Sequence, residues 1–158
     1  MTQDRFDRAR FKHKIEIRVR NYEVDWQGIV HNAVYLLYFE VGRVEYLKNV
    51  GAELDLNSVR GDNKVVLVHN EIDYMRPVHF DDLLIVRTRI SSIKNSSFLM
   101  EGLLELAAGG ELVATNVAHH VWLDPATNRP TPVRDEFRKL IQRYEGGEGN
   151  ITWPVRET

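Results

Sequence analysis

At 158 residues, with 21 Lys and Arg against 23 Asp and Glu, the chain carries a formal net charge of -2. That balance excludes a nucleic-acid partner held through a basic face, and it excludes a polybasic membrane anchor; any anionic ligand must be met by a local cluster. Cysteine is absent, which removes disulfides, thiolate catalysis and Cys-ligated zinc.

A chain of this length suits one domain that buries roughly 70% of its unfolded surface. The expectation is a single domain over residues 1–158, with a core of about 12–145 and a tail from 146. The start, Met1-Thr2-Gln3-Asp4-Arg5-Phe6-Asp7-Arg8, is charged and has no apolar h-region. No apolar run approaches the ~20 residues that span a bilayer, so a cytoplasmic protein with no membrane partner is expected.

From Phe11 to Tyr22 the residues alternate, with Phe11, His13, Ile15, Ile17 and Val19 on one side and Lys12, Lys14, Glu16, Arg18 and Arg20 on the other. This predicts a half-buried strand. A polar loop follows, Asp25-Trp26-Gln27-Gly28, in which Gly28 can take positive φ or approach a ligand closely. The chain then enters a long apolar helix, predicted from about Asn32 to Asn49 with Gly51 as its stop. Projected at 100° per residue, Ala33, Leu36, Leu37, Val41, Val44 and Leu47 form one broad arc, while Val34, Tyr35, Tyr38, Phe39 and Tyr46 fill most of the rest. A helix apolar nearly all round must be covered on most sides, by a sheet curling around it or by a partner subunit. Glu40 lies within the arc, and an ion pair with Arg43 three residues on accounts for it.

The stretch Leu54 to Asp62 is polar and reads as a loop or short extra turn. Four strand-like runs follow: Lys64 to Met75, Leu83 to Ile93, Ser97 to Leu106 with Phe98, Met100, Leu104 and Leu106 on one face, and Glu111 to Leu123. Lys94-Asn95-Ser96 and Ala107-Ala108-Gly109-Gly110 are breaks short enough to make antiparallel hairpins. After the turn Asp124 to Pro130, Thr131 can cap a helix whose first residue is Pro132, with Val133, Phe137, Leu140, Ile141 and Tyr144 as its stripe and Gly146-Gly147 as its end. The tail Glu148 to Thr158 has no periodicity, and Trp153 is its one strong anchor. The predicted class is α+β, an antiparallel five-stranded sheet around a long central helix with a C-terminal helix.

The start of the long helix is the candidate site. Free main-chain N–H groups and the positive end of the helix dipole gather there, and Asp25 lies just upstream. Such an end stabilises a carbonyl oxygen or a developing oxyanion. Of the six histidines, His119-His120 are adjacent on a strand and point to opposite faces, and no His-x-x-x-His or His-x-His pair occurs, so neither a metal nor another cofactor is expected. Lys94, Ser96 and Ser97 at a hairpin are candidates for holding phosphates, against the alternative of an ordinary solvated turn.

The order Tyr22, Asp25, Gly28, Val30, Asn32, Tyr35, Phe39-Glu40, Arg43 resembles the signature of hotdog-fold thioesterases of the 4-hydroxybenzoyl-CoA thioesterase type. Glu71-Ile72-Asp73-Tyr74-Met75-Arg76-Pro77 with Asp81-Asp82, then Ser96-Ser97-Phe98, then Thr127 to Pro132 are similar to the rest of the pattern, from about Lys14 to Leu140. The resemblance implies the hotdog fold and hydrolysis of an acyl-CoA, or an acyl carrier protein thioester, to a carboxylic acid. It implies Asp25 as the catalytic base or nucleophile and the amide of Asn32 as the group polarising the carbonyl. Gly28, His31, Tyr35, Lys94, Ser96 and Ser97 are the expected substrate contacts. A homodimer or homotetramer is implied, with the site at the dimer interface. Two other functions are open to the same residues. A hotdog hydratase or dehydratase would pair Asp25 with His31, and a non-catalytic acyl-CoA-binding protein would need neither.

Overall fold

The computed structural model describes residues 5–52 and 64–146. Its elements, in chain order, are β1 (His13–Arg18), α1 (Asn32–Val50), β2 (Lys64–Tyr74), β3 (Leu83–Ile93), β4 (Ser97–Leu106), β5 (Leu112–Leu123) and α2 (Asp135–Glu145), with short 3-10 turns at Arg8–Arg10 and Asn21–Glu23. The five strands form one antiparallel sheet in the order β1-β3-β4-β5-β2. In it, β1 pairs with β3 from His13 opposite Thr88 to Arg18 opposite Leu83. The predicted loop Leu54–Asp62 lies outside the described residues, as does the tail with Trp153. Among the described residues no helix is long and apolar enough to cross a membrane.

Packing divides the chain into two compact units. The first comprises Met1–Tyr46, Glu71–Arg89 and Glu101–Val117. Its core gathers Val19, Val30, Tyr35, Tyr38, Phe39, Val78, Leu84, Val86, Leu104, Val113 and Ala114. Two glycines set how closely α1 approaches the strands. A Cβ on Gly42 would lie 2.6 Å from Val86 Cγ1 and 2.8 Å from Thr88 Oγ1, and one on Gly102 would lie 2.6 Å from Phe39 Cδ1. The helix rests against β3 through its own glycine and against β4 through the strand's.

The nearly all-round apolarity of α1 is resolved by the fold in favour of its aromatic side. Tyr35, Tyr38, Phe39, Gly42, Arg43 and Tyr46 are buried, while Ala33, Leu37 and Val41 are exposed. The larger aromatic side chains reach across the gap that the two glycines leave, and they bury more area per residue than the aliphatics would. Glu40 lies on the exposed side. Arg43 is the buried charge, and it donates to Asn116 Oδ1 at 2.9 Å while Asn116 Nδ2 donates to Glu71 O at 2.8 Å. Burial lowers the Arg43 pKa, and the nearby Glu40 charge partly offsets this.

The other face of β3 and β4 carries a ladder of ion pairs closed by the segment before β1. Glu101 meets Arg5 at 2.5 Å and Arg89 at 2.8 Å; Glu105 meets Arg87 at 2.6 Å and also Arg8. The Arg89 guanidinium stands over the Phe11 ring at 5.2 Å. Each buried carboxylate thus has two cationic partners, which offsets its desolvation.

The second unit comprises Leu47–Asn70, Ile90–Met100 and Ala118–Thr158. Gly51 ends α1 at φ 80°, with its N–H donating to Lys48 O and that of Ala52 to Leu47 O, a Schellman closure. Phe98 stacks on His120 at 4.9 Å and packs with Phe137 and Trp122. The helix expected to begin at Pro132 begins instead at Asp135. Thr131 N–H donates to Trp122 O and Val133 N–H to Asn95 O, so backbone pairing keeps Thr131–Val133 extended and Thr131 caps nothing. Strand placement also sets the His119 ring against that of His69, 5.2 Å between centroids, a pairing with no signature in the spacing of histidines along the chain.

Gly42→Ala is expected to cost roughly 1–3 kcal/mol, because its methyl meets two side chains fixed in the core. Thermal melting checks this, and a melting temperature unchanged within about 2 °C would refute it. His13 is buried against Tyr46, and burial lowers its pKa despite the neighbouring Glu45. Below the ordinary histidine range the unfolded chain then binds a proton that the folded chain resists, so stability falls as pH drops through about 6.5. Urea midpoints measured from pH 7.5 to 5 should decline less in His13→Phe than in the parent.

Candidate active site

The loop that presents Asp25 is closed upon itself. Val24 and Val30 form an antiparallel bridge, Asp25 N–H donates to Ile29 O at 2.8 Å, and Gly28 N–H donates to Asp25 O at 3.0 Å. Gly28 takes φ 81°, which an L side chain rarely adopts, so the turn requires this residue. Asp25 Oδ1 accepts from Gln27 N–H at 2.8 Å and Ile29 N–H at 3.3 Å. One carboxylate oxygen is thus committed to the turn, and the rotamer is fixed. Among the described residues Oδ2 has no hydrogen-bond partner, and the side chain is half-buried.

Backbone bonds then carry the chain from the loop into α1. Val30 N–H donates to Val78 O at 2.9 Å, Ile29 bridges His79, and His31 N–H donates to Glu23 O at 3.1 Å. The Val34 amide donates to His31 O at 2.9 Å. The amides of Asn32 and Ala33 have no protein acceptor among the described residues, as expected of the first turn of a helix. His31, Asn32 and Ala33 are exposed, so the first turn is open rather than filled by the protein's own side chains. It therefore offers two free amide donors, seven and eight residues along the chain from one oriented carboxylate.

Glu23 was not foreseen as part of this arrangement. It is 7% exposed, and its Oε1 accepts from Arg20 N–H at 2.7 Å and from the Tyr38 hydroxyl at 3.0 Å. Burial, and then the Glu23 charge, push the Tyr38 hydroxyl pKa well above its ordinary value, so Tyr38 remains a donor. Tyr74 is also new to the site. It donates its hydroxyl proton to Asn32 O at 3.0 Å, and its ring meets that of Tyr35 edge-on at 5.1 Å. A tyrosine eight residues beyond Val66 on an alternating strand carries no mark of such a contact; only the strand's placement reveals it.

The expected contacts fall into two groups. Asp25, Gly28, His31, Asn32 and Tyr35 lie together in the first unit. Tyr35 is buried there, with its hydroxyl bonded to the Val78 backbone and its pKa raised by burial. Lys94, Ser96 and Ser97 belong to the second unit. Lys94 N–H donates to Ser97 O at 2.8 Å, closing a tight hairpin. The carbonyls of Lys94 and Asn95 accept from Arg138 Nη2 at 2.6 and 3.0 Å, and Ser96 O accepts from Trp122 N–H. The backbone of this turn is therefore engaged in structure, and the Lys94 side chain is exposed.

Several known thioesterases are similar to this chain in sequence and in fold. An acyl-acyl carrier protein thioesterase of Arabidopsis thaliana is 31% identical over 134 residues, covering 84% of this chain and 70% of that one. A putative acyl-CoA thioesterase of Bacillus subtilis is 31% identical over 132 residues, covering 84% and 94%. The crystal structure of a thioesterase from Thermus thermophilus, complexed with coenzyme A and Zn, superposes with a TM-score of 0.76 at 30% identity, covering 87% of this chain and 96% of that one. The sheet order and the two helices are those of the hotdog fold. Residues 19–141 match the Thioesterase-like superfamily, and the chain belongs to that family.

Proposed function

We propose that this chain is a thioester hydrolase that cleaves an acyl-CoA or acyl carrier protein thioester, with Asp25 and the first turn of α1 as its chemical centre. The observation that carries the reading is that Asp25 spends one carboxylate oxygen on its own turn and leaves the other uncommitted among the described residues, while the loop leads directly into a helix whose first two amides are unpaired. A thioester needs an attacking oxygen and a stabilised oxyanion; its thiolate leaving group, with a pKa near ~8.5, departs without a strong acid. Asp25 Oδ2 acts as general base on water, or attacks the carbonyl itself to give a mixed anhydride that water then opens. The Asn32 amide, joined by that of Ala33, receives the charge that develops on the carbonyl oxygen. Gly28 and His31 border the thioester, and buried Tyr35 supports the wall behind it. Lys94, Ser96 and Ser97 are assigned to the phosphates of the carrier. The reading treats 1–158 as one thioesterase domain and places it in the cytoplasm.

A homodimer or a pair of dimers belongs to the same proposal. Ala33, Leu37 and Val41 recur every four residues on α1 and are exposed, with Leu37 at 55%. Tyr74 and Met75, at the end of β2, are exposed as well. A second copy covering this apolar surface supplies the partner that the all-round apolarity of α1 calls for.

Thiol release from aromatic, short-chain and long-chain acyl-CoAs, and from acyl carrier protein thioesters, tests the reaction. Release from at least one is expected, and release from none would overturn it. Asp25→Asn should lower the rate by at least about 100-fold with little change in melting temperature. The amide oxygen can still accept the two loop N–H groups, so the fold keeps its turn while the reaction loses its base. Sedimentation should give a dimer or tetramer at micromolar concentration, with Leu37→Glu shifted towards monomer. A parent protein that sediments as a stable monomer would count against the assembly.

A further inference from the structure

We infer that Tyr74 is a positioning residue of the active site, whose hydroxyl polarises and aligns the peptide group carrying the Ala33 amide. The inference rests on the thioesterase reading and deepens it. Asn32 O, the acceptor of the Tyr74 hydroxyl at 3.0 Å, and Ala33 N–H are the two ends of one planar peptide. A donor on the carbonyl draws electron density from the amide nitrogen and strengthens the N–H as a donor at the other end. The same bond holds that plane against rotation, so the amide reaches the transition state already oriented. The bond joins β2 to the first residue of α1, and the facing ring of Tyr35, itself buried and bonded to Val78, limits where the Tyr74 ring can swing. Packing alone gives a weak reason for the hydroxyl. Phenylalanine would make the same edge contact with Tyr35 and keep the same apolar ring.

Because the oxyanion exists only in the transition state, the hydroxyl should act on kcat and leave substrate binding nearly unchanged. The experiment is steady-state hydrolysis of the best acyl-CoA by the full chain and by Tyr74→Phe, with melting temperature, sedimentation and the Kd of free CoA measured alongside. A fall in kcat of about tenfold is expected, with KM, CoA affinity and assembly held. A second variant replaces Tyr74 with 3,5-difluorotyrosine, whose phenol is more acidic. While protonated it should restore kcat to the parent level or above, and kcat should drop at a lower pH than in the parent, when the phenol ionises and can no longer donate. A purely structural tyrosine would show no such displaced limb. An active parent whose Tyr74→Phe variant keeps its kcat, or whose fluorinated variant has the parent's pH profile, overturns the assignment even if Tyr74→Phe is less stable. A parent that releases no thiol from any acyl-CoA overturns the thioesterase reading itself, and the assignment with it.

Discussion

The geometry of the site depends on one buried carboxylate. Glu23 gathers the Arg20 amide and the Tyr38 hydroxyl on its side chain, while its own carbonyl takes the His31 amide. A carboxylate this far from water is tolerable only when its lone pairs are filled; the Arg20 amide and the Tyr38 hydroxyl fill them, and with the His31 amide on its main-chain carbonyl this one residue ties three segments together. Arg20 belongs to the approach from β1, His31 to the entry of α1, and Tyr38 to the helix two turns in. Asp25 hangs between the first two of these anchors. Its direction is therefore set by Glu23 and by the closed loop, and the carboxylate proposed as catalytic need make no contact with the core to be rigid.

A second constraint is the distance between α1 and the strands. With Gly42 on the helix and Gly102 on β4, the backbones approach closely enough for Phe39 and Tyr38 to fill the layer between. The helix cannot roll about its axis without driving an aromatic ring into a strand, and the close-packed interior resists such a shift. Its first turn is thereby aimed. An oxyanion site built from peptide amides requires this, since amides have no rotamers with which to correct a misplacement and must be positioned by the whole element.

Much of the fold was legible because strands and their hairpins are local. Alternation located β1 but overran it, since the strand keeps only His13–Arg18 of Phe11 to Tyr22 and Asn21–Glu23 form a 3-10 turn; the short breaks set the limits of β3 and β4, which agree with the structure. The faces of α1 were not. Aliphatic and aromatic residues are spread around nearly its whole circumference, so periodicity alone offers no preferred side, and the choice was made by two glycines whose meaning depends on partners distant in sequence. The start of α2 was misplaced for a related reason. Thr131-Pro132 is a sound local signal for a helix N-terminus, but the backbone bonds of Thr131 and Val133 to Trp122 and Asn95 claim those residues first. The ion-pair ladder under the N-terminal segment, and the contact from Tyr74 to Asn32, are pairings of residues far apart in the chain, invisible to any window.

What the chain displays at its site is a division of labour between covalent neighbours and distant ones. Asp25, Gly28 and Asn32 stand within eight residues, so the groups proposed to react could be picked out together from a short stretch. The residues that hold them in place lie elsewhere: Glu23 and Tyr38 fix the loop, Val78 anchors Val30 and Tyr35, and Tyr74 closes on the first helical peptide. A carboxylate near a helix end is common in proteins and catalyses nothing unless its free oxygen and the free amides converge on one atom. Convergence is a property of the supporting residues. The same loop sequence placed on a helix free to roll, or without a filled Glu23, would keep its motif and lose the angle at which oxygen meets carbonyl.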